Sequence, residues 1–262
     1  MAEFQFVRYG IENHLGRIII NRPPVNALNR VLVGEIFAAS KLIQRDVERR
    51  SVRVVVLQAA GKNFCAGADL KERLGVPESE VEKVVQGIRD AIEAVAEIKV
   101  PTIAAVQGTA AGGGMELALA ADIRVCADTA KMGLRETALA IIPGAGGTQR
   151  LPRLIGYSNA LLWISTARLF EAPECLRYGV ANMVVPEADL EKTALQLAGE
   201  IAANGPLAVQ LAKSAVLAGM HLDLQKALAL EWGHYKQVIS THDRREALAA
   251  FNEKRTPIFK GE

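Results

Sequence analysis

IAAVQGTAAGGGMELALAADIRVCADTAKMGLRETALAIIPGAGGTQR, residues 103–150, is the stretch on which the fold turns. Its apolar start reads as a strand, and Gly108 opens a loop into the triplet Gly112-Gly113-Gly114. The Glu-, Leu- and Ala-rich residues 115–121 favour a helix. Residues 123–126 and 130–133 read as short strands. A second glycine cluster, Gly144-Ala145-Gly146-Gly147, precedes a further helix over 147–154. Strand, glycine-rich loop and helix in succession mark a layered α/β fold. Two glutamates, Glu116 and Glu136, stand in mostly apolar surroundings inside this stretch.

Upstream the same grammar continues. Residues 4–9 and 15–21 read as strands joined around 10–14, and Ile18-Ile19-Ile20 is a β-branched run of the kind that fills a buried strand. Pro23 and Pro24 end it, because neither can donate to a ladder. Leu32, Ile36, Ala39 and Ile43 repeat along one face of a helix over 30–48. Residues 53–58, RVVVLQ, read as a strand covered on both faces. The loop GKNFCAGADLKE follows, then a helix over 79–98 that Pro101 closes off, and the strand 102–107. Downstream, 173–178 reads as a short helix and 181–185 as a last strand. Everything after that reads as helical: 190–203, 206–218, 222–239, and a final helix opened by Asp243 and Glu246 as a capping box. These patterns divide the chain into an α/β unit at 1–190 and a helical region at 191–262.

Composition bounds the function. The 262 residues are 50% hydrophobic and 23% charged, enough for a sizeable core. A net charge of +2 is a weak basic excess and does not by itself suggest nucleic acid, which usually meets a concentrated basic patch. No run of some 18 apolar residues reads as a membrane span. Cys65, Cys126 and Cys175 fit neither a zinc nor a disulfide spacing. With a strand pattern starting almost at MAEFQFVRYG, the expected compartment is the cytoplasm. The four histidines are scattered and none lies near the glycine loops, so neither a metal site nor histidine acid–base chemistry is expected. GKNFCAG lacks the Lys-Ser/Thr of a phosphate loop, and GAGGTQ has Gln149 where a dinucleotide fingerprint needs glycine.

What is present suits carbonyl chemistry. Glycine at a helix start lets a ligand approach the backbone, where the helix dipole favours negative charge. Two such N–H groups from separate loops make an oxyanion hole. The candidate loops are Cys65-Ala66-Gly67-Ala68 and Gly112-Gly113-Gly114. Glu116 and Glu136 either face water, as charged residues mostly do, or sit in apolar surroundings that raise their pKa and fit them for proton transfer.

FCAGADLKE, IAAVQGTAAGGGMELALAADIRV and LAIIPGAGGTQRLPRLIG resemble the signature segments of the enoyl-CoA hydratase/isomerase (crotonase) superfamily. The resemblance runs from NRPPVNALN at Asn21 to the tail AFNEKRTPIFKGE. It implies an α/β spiral of ββα units with a C-terminal helical region that builds trimers, paired into hexamers. It implies an acyl-CoA thioester as substrate, with no cofactor beyond the coenzyme A of the substrate itself. The oxyanion-hole amides match Ala68 and Gly113, the acid–base carboxylates Glu116 and Glu136, and the water-positioning amide Gly144. For the coenzyme A end, Lys62 and Lys71 match nucleotide contacts. Phe251 and Lys254 match residues that reach it from a neighbouring subunit. Pro24 stands where many relatives carry a further coenzyme A lysine.

Within the superfamily the segments resemble short-chain enoyl-CoA hydratases and the methylglutaconyl-CoA hydratase subgroup. The RNA-binding relative in that subgroup carries a comb of lysines on its first helix. The matching positions here are Arg30, Gly34 and Ala38, which argues against nucleic acid as a partner. Hydration is therefore the expected reaction, with an isomerase or an RNA-binding member as the alternatives. Arg135 departs from the pattern, since an uncharged residue commonly precedes the second glutamate. It either faces solvent, biases the pKa of the adjacent acid downward, or meets a second carboxylate on the substrate.

Overall fold

The N-terminal alternation folds back on the run that follows it. In the computed structural model, which describes residues 4–262, β1 (Val7–Glu12) and β2 (Leu15–Ile20) form an antiparallel hairpin. Residues 1–3 of the MAEFQFVRYG stretch lie outside the described part. Between the strands, Asn13 and His14 have φ of 49° and 66°. Positive φ at both positions is what a type I′ two-residue hairpin turn requires. The strand therefore reaches Glu12 instead of ending at Tyr9, and residues 10–12, expected in the loop, are paired.

From β2 onward the large sheet is parallel. It continues through β3 (Val54–Ala59), β4 (Thr102–Val106), β6 (Ile123–Ala127) and β9 (Met183–Val185), in the order β1-β2-β3-β4-β6-β9. A smaller sheet holds β5 (Thr109–Ala111), β7 (Lys131–Gly133) and β8 (Phe170–Glu171), in the order β5-β7-β8. The chain steps from the large sheet to the small one and then into a helix. β4 and β5 lead to α4 (Gly113–Ala120). β6 and β7 lead to a 3-10 turn, Glu136–Leu139, and then α5 (Gly147–Ile155). After β3 the second strand shrinks to one bridge, Cys65 to Ala110, before α2 (Leu70–Leu74) and α3 (Glu78–Ala96). This is the ββα spiral that the resemblance implied. Its second strand varies from a single bridge to three residues, which is why no fixed period shows in the sequence.

Both faces of the large sheet are covered, and β3 shows how. Val55 and Leu57 point into the main core, with Leu32, Ile36, Ala39 and Ile43 of α1 (Arg30–Glu48). Val54 and Val56 point the other way, against Leu190, Ala194, Ala198 and Ala202 of α8 (Leu190–Ala202). A four-residue spacing keeps those α8 side chains on one face. The remaining helices are α6 (Tyr157–Thr166), α7 (Ala172–Tyr178), α9 (Pro206–Gly219), α10 (Leu224–Val238) and α11 (His242–Glu253).

The sequence placed a boundary at residue 190, yet α8 is a layer of the sheet. The change in burial falls after Ala202: α9 buries only Pro206, and α10 buries none of its residues. Val216, Met220, Leu224 and Trp232 are all more than half exposed on this helical hairpin.

The start of α11 also differs from expectation. Its N-cap is Thr241, whose side chain accepts from Arg244 N. Asp243 instead accepts from the Lys260 and Gly261 amides, both at 2.7 Å, and Glu246 pairs with Arg255. The two acids that resembled a capping box thus tie down the tail.

Candidate active site

The loop after β3 and the start of α4 meet at two backbone amides. A Cβ built on Gly113 would lie 3.9 Å from the Ala68 nitrogen and 3.1 Å from Leu28 Cδ1. Leu28 fixes the Ala68 loop from the other side: its N–H donates to Gly67 O, and its carbonyl accepts from Asp69 N. Asp69 is held in turn by Arg22, at 2.7 Å, and caps α2. Neither the Ala68 nor the Gly113 N–H donates to a backbone acceptor among the described residues. Gly113 is the first residue of α4, where an N–H has no partner within the helix. Two free amides side by side at a helix N-terminus can hold an oxygen that gains negative charge.

Glu116 lies one turn further along α4 and is only 3% exposed. Its Oε1 accepts from the amides of Ala145, at 2.8 Å, and Gly147, at 2.9 Å. Burial raises its pKa, and the Gly147 and Ala145 amides pull it back toward the ionised form. Glu136 begins the 3-10 turn after β7. Its carboxyl lies over Gly112, where a Cβ would meet Oε1 at 2.9 Å. Gly112, with φ 52°, is therefore fixed as glycine both by its backbone and by this carboxyl. Thr137 Oγ1 anchors the turn by donating to Ile164 O of α6 at 2.7 Å. Glu136 Oε2 is buried and has no hydrogen-bond partner among the described residues.

The two carboxyls are electrostatically coupled. Burial, and then the charge of Glu116, push Glu136 up to about 7. Glu116 is raised as well, by burial, with its two amides opposing the shift. A titration of 13Cδ-labelled glutamate by NMR is expected to place Glu136 near 7 and to place it lower in Glu116→Gln. That variant removes the neighbouring negative charge and leaves the burial in place. An unchanged Glu136 titration in the variant would mean that the carboxyls do not sense each other.

The remaining sequence candidates are placed as follows. Gly144 is exposed in the loop whose Ala145 and Gly147 amides hold Glu116, and a Cβ on it would touch Val85 Cγ1 of α3 at 3.1 Å. The amides that grip the carboxylate are thus the two that flank Gly146, which the sequence did not single out. Lys62 and Lys71 are exposed beyond the C-terminal end of β3. Phe251, 85% exposed, and Lys254 close α11. The tail that follows is anchored at the opposite end of β3, where Arg53 donates to Phe259 O. No hydrogen bond or ion pair in the chain joins these two pairs among the described residues. Arg135 is exposed and makes no ion pair among the described residues.

Cys65 lies in the loop leading to Ala68, but burial pushes its thiol up to about 12, so it is no nucleophile at neutral pH. Among the described residues no helix is long and apolar enough to cross a membrane, and no group of three or more His, Cys, Asp or Glu could hold a metal ion.

Comparison with known proteins places the chain in a family. The family model described as enoyl-CoA hydratase/isomerase matches residues 10–262. The mitochondrial methylglutaconyl-CoA hydratase of Mus musculus is 47% identical over 264 residues, spanning 98% of this chain and 83% of that protein. An enoyl-CoA isomerase/hydratase of Mycosarcoma maydis is 41% identical, spanning 93% of this chain and 92% of that protein. Among solved structures, the enoyl-CoA hydratase from Bacillus anthracis superposes with a TM-score of 0.95 at 47% identity. That match covers 98% of this chain and all of the other.

Proposed function

The chain belongs to the enoyl-CoA hydratase/isomerase family, and from that premise we propose that it hydrates a 2-enoyl-CoA thioester to the 3-hydroxyacyl-CoA. The observation that carries hydration is the pair of buried carboxyls in complementary surroundings. Two amides favour the ionised form of Glu116 against its burial, while burial and the Glu116 charge push Glu136 up to about 7. Adding water needs one group to take a proton and another to give one.

The thioester oxygen lies between the Ala68 and Gly113 amides, which stabilise the charge it gains as C3 is attacked. Glu116 takes a proton from water as the water oxygen bonds to C3. Glu136 gives its proton to C2. The product carries OH at C3 and H at C2, and the pair returns to its starting state when one proton passes back to Glu136. Gly144 is assigned to holding the water. Lys62 and Lys71 are assigned to the phosphates of coenzyme A, with Phe251 and Lys254 supplied by a neighbouring copy in a cytoplasmic trimer or hexamer. Coenzyme A belongs to the substrate, and the mechanism uses no separate cofactor.

The test follows the absorbance of the conjugated enoyl thioester with a panel of substrates: crotonyl-CoA, longer 2-enoyl-CoAs, 3-methylglutaconyl-CoA and a 3-enoyl-CoA. Loss of absorbance with 2-enoyl substrates is expected. A rise with the 3-enoyl substrate and no loss with the others would replace hydration by isomerisation. Salt-sensitive RNA binding without turnover would replace both.

A dicarboxylic substrate is the second reading. Its support is the mouse relative together with Arg135, an unpaired guanidinium directly before Glu136. Arg135→Ala is expected to cost at least about tenfold more in kcat/KM on 3-methylglutaconyl-CoA than on crotonyl-CoA, the loss of one charge-assisted contact. Equal losses on the two substrates would leave Arg135 with no part in selecting the acyl group.

A further inference from the structure

We propose that Arg150 is a positioning residue for Glu116: anchored by Glu93 of α3, its guanidinium fixes the Ala145–Gly147 peptides that grip the Glu116 carboxylate. The inference rests on the reading of Glu116 as a catalytic carboxylate and adds the group that holds it in place.

Three observations converge on this. First, Arg150 Nη1 donates to Ala145 O at 3.0 Å, on the residue whose N–H donates to Glu116 Oε1. Second, the guanidinium lies across Gly146. A Cβ there would fall 2.1 Å from Nη1 and 3.0 Å from Cζ, and Gly146 has φ 109°. The bare glycine and the arginine thus fit each other, with the guanidinium occupying the place a Gly146 side chain would take. Third, Arg150 Nη2 pairs with Glu93 Oε2 at 2.6 Å. α3 touches the same loop a second time through Val85 against Gly144.

The loop around Gly146 is also held by the Gln149 and Arg150 amides, which donate to Gly146 O, and by Leu134 and Pro143 against Gly147; Arg150 is the side chain that reaches its Ala145 carbonyl. Two of its amides are spent on Glu116, and Gly144 is exposed. Without Arg150, nothing among the described side chains donates to its Ala145 carbonyl. The charge of Arg150 also favours the ionised form of Glu116, behind burial and the two amides in weight. Position and charge therefore act in the same direction: both favour the ionised form of Glu116, in which it can take a proton from water.

Arg150→Met retains much of the stem and removes both donors and charge. It is expected to lower kcat on crotonyl-CoA by about 10- to 100-fold through misplacement of the carboxylate, with KM within about threefold. The Glu116 signal in the 13Cδ titration of substrate-free enzyme should move to higher pH, and the acidic limb of the kcat profile should move with it. Arg150→Lys keeps the charge and should restore the titration and part of kcat. Glu93→Gln loosens an exposed anchor and should cost less than about threefold.

Wild-type kcat together with an unmoved Glu116 titration in Arg150→Met overturns the proposal. So does a lysine variant whose Glu116 titration moves to higher pH than in the wild type, a comparison that stands even if the methionine variant does not fold. The titration needs no turnover. If the wild-type enzyme hydrated none of the panel, the functional reading would fail while the Arg150 assignment was still decided by NMR.

Discussion

Glu136→Gln lowers turnover of crotonyl-CoA by about 10³-fold, and Glu116→Gln does so to a similar degree, with native size in gel filtration retained in both; these are the expected results. General acid or base catalysis is worth roughly 10²–10⁴, and the proposed mechanism gives each residue one half of the proton traffic. Glutamine keeps the volume, so what is lost is the titrating oxygen. For Glu116 the two amide donors still find a side-chain oxygen in the variant. For Glu136 the unpartnered Oε2 becomes an amide or carbonyl that carries no exchangeable acid. The double variant should lose little beyond the worse single, because either loss alone breaks the same step. Hydration near the wild-type rate in either single variant would remove that residue from the mechanism.

The same Glu136 variant carries an opposite expectation for stability. The folded protein holds Glu136 at about 7, above its ordinary 4.5, because burial and the Glu116 charge oppose ionisation. A carboxyl raised in this way contributes fully below pH 4.5, and its contribution is lost as pH rises through 7. At pH 8 the wild type carries the charged, strained carboxyl and Glu136→Gln does not. The variant should therefore melt higher at pH 8 and within error of wild type at pH 4, when scanned in thermal unfolding. The gain is on the order of 1 kcal/mol once solvent screening of the half-buried group is discounted. An inactive variant that is more stable at alkaline pH would locate the strain at the Glu136 carboxyl.

Glycines and carboxylates were the legible part of the site, because both are conspicuous in an apolar chain. Gly112 to Gly114, the Ala68 loop, Glu116 and Glu136 all meet where the strand-loop-helix order puts them. The supporting parts left no such trace. β5 is Thr109–Ala111 between glycines, and β8 is two residues. Neither is long enough to show alternation, and each exists because β7 lies beside it. α6, whose Ile164 carbonyl pins the Glu136 turn, follows α5 after one glycine, and only the first of the two helices was read.

Arg150 looks in sequence like one more basic residue at the start of a helix; only the missing Cβ of Gly146 beside it shows what it packs against. Asp243 and Glu246 had the spacing of a capping box, but the tail offered them better partners in Lys260, Gly261 and Arg255. Local spacing names the groups that do chemistry, whereas the groups that hold them are set by contacts distant in sequence.

Gly114→Ala should lower kcat/KM by about 10²-fold or more with both glutamates in place. A Cβ on Gly114 would lie 2.1 Å from the Cys65 carbonyl oxygen, 2.7 Å from its carbon and 2.8 Å from its Cβ. The first two are backbone atoms, so no rotamer relieves them. The Cys65 carbonyl also accepts from Ala111 N at 3.0 Å, so moving it breaks the link between the loop and the small sheet. Cys65 leads through Ala66 and Gly67 to Ala68, and displacing it carries the Ala68 amide away from Gly113. Losing one donor of an oxyanion hole costs roughly 10²–10³. Overpacking adds a stability loss of about 1–3 kcal/mol, visible as a lower melting temperature. Cys65→Gly would remove the 2.8 Å contact and leave the 2.1 Å one, so the double variant Gly114→Ala, Cys65→Gly should remain impaired. Recovery of activity in that double variant would show that side-chain crowding, and not the approach of the two backbones, sets the spacing of the amides.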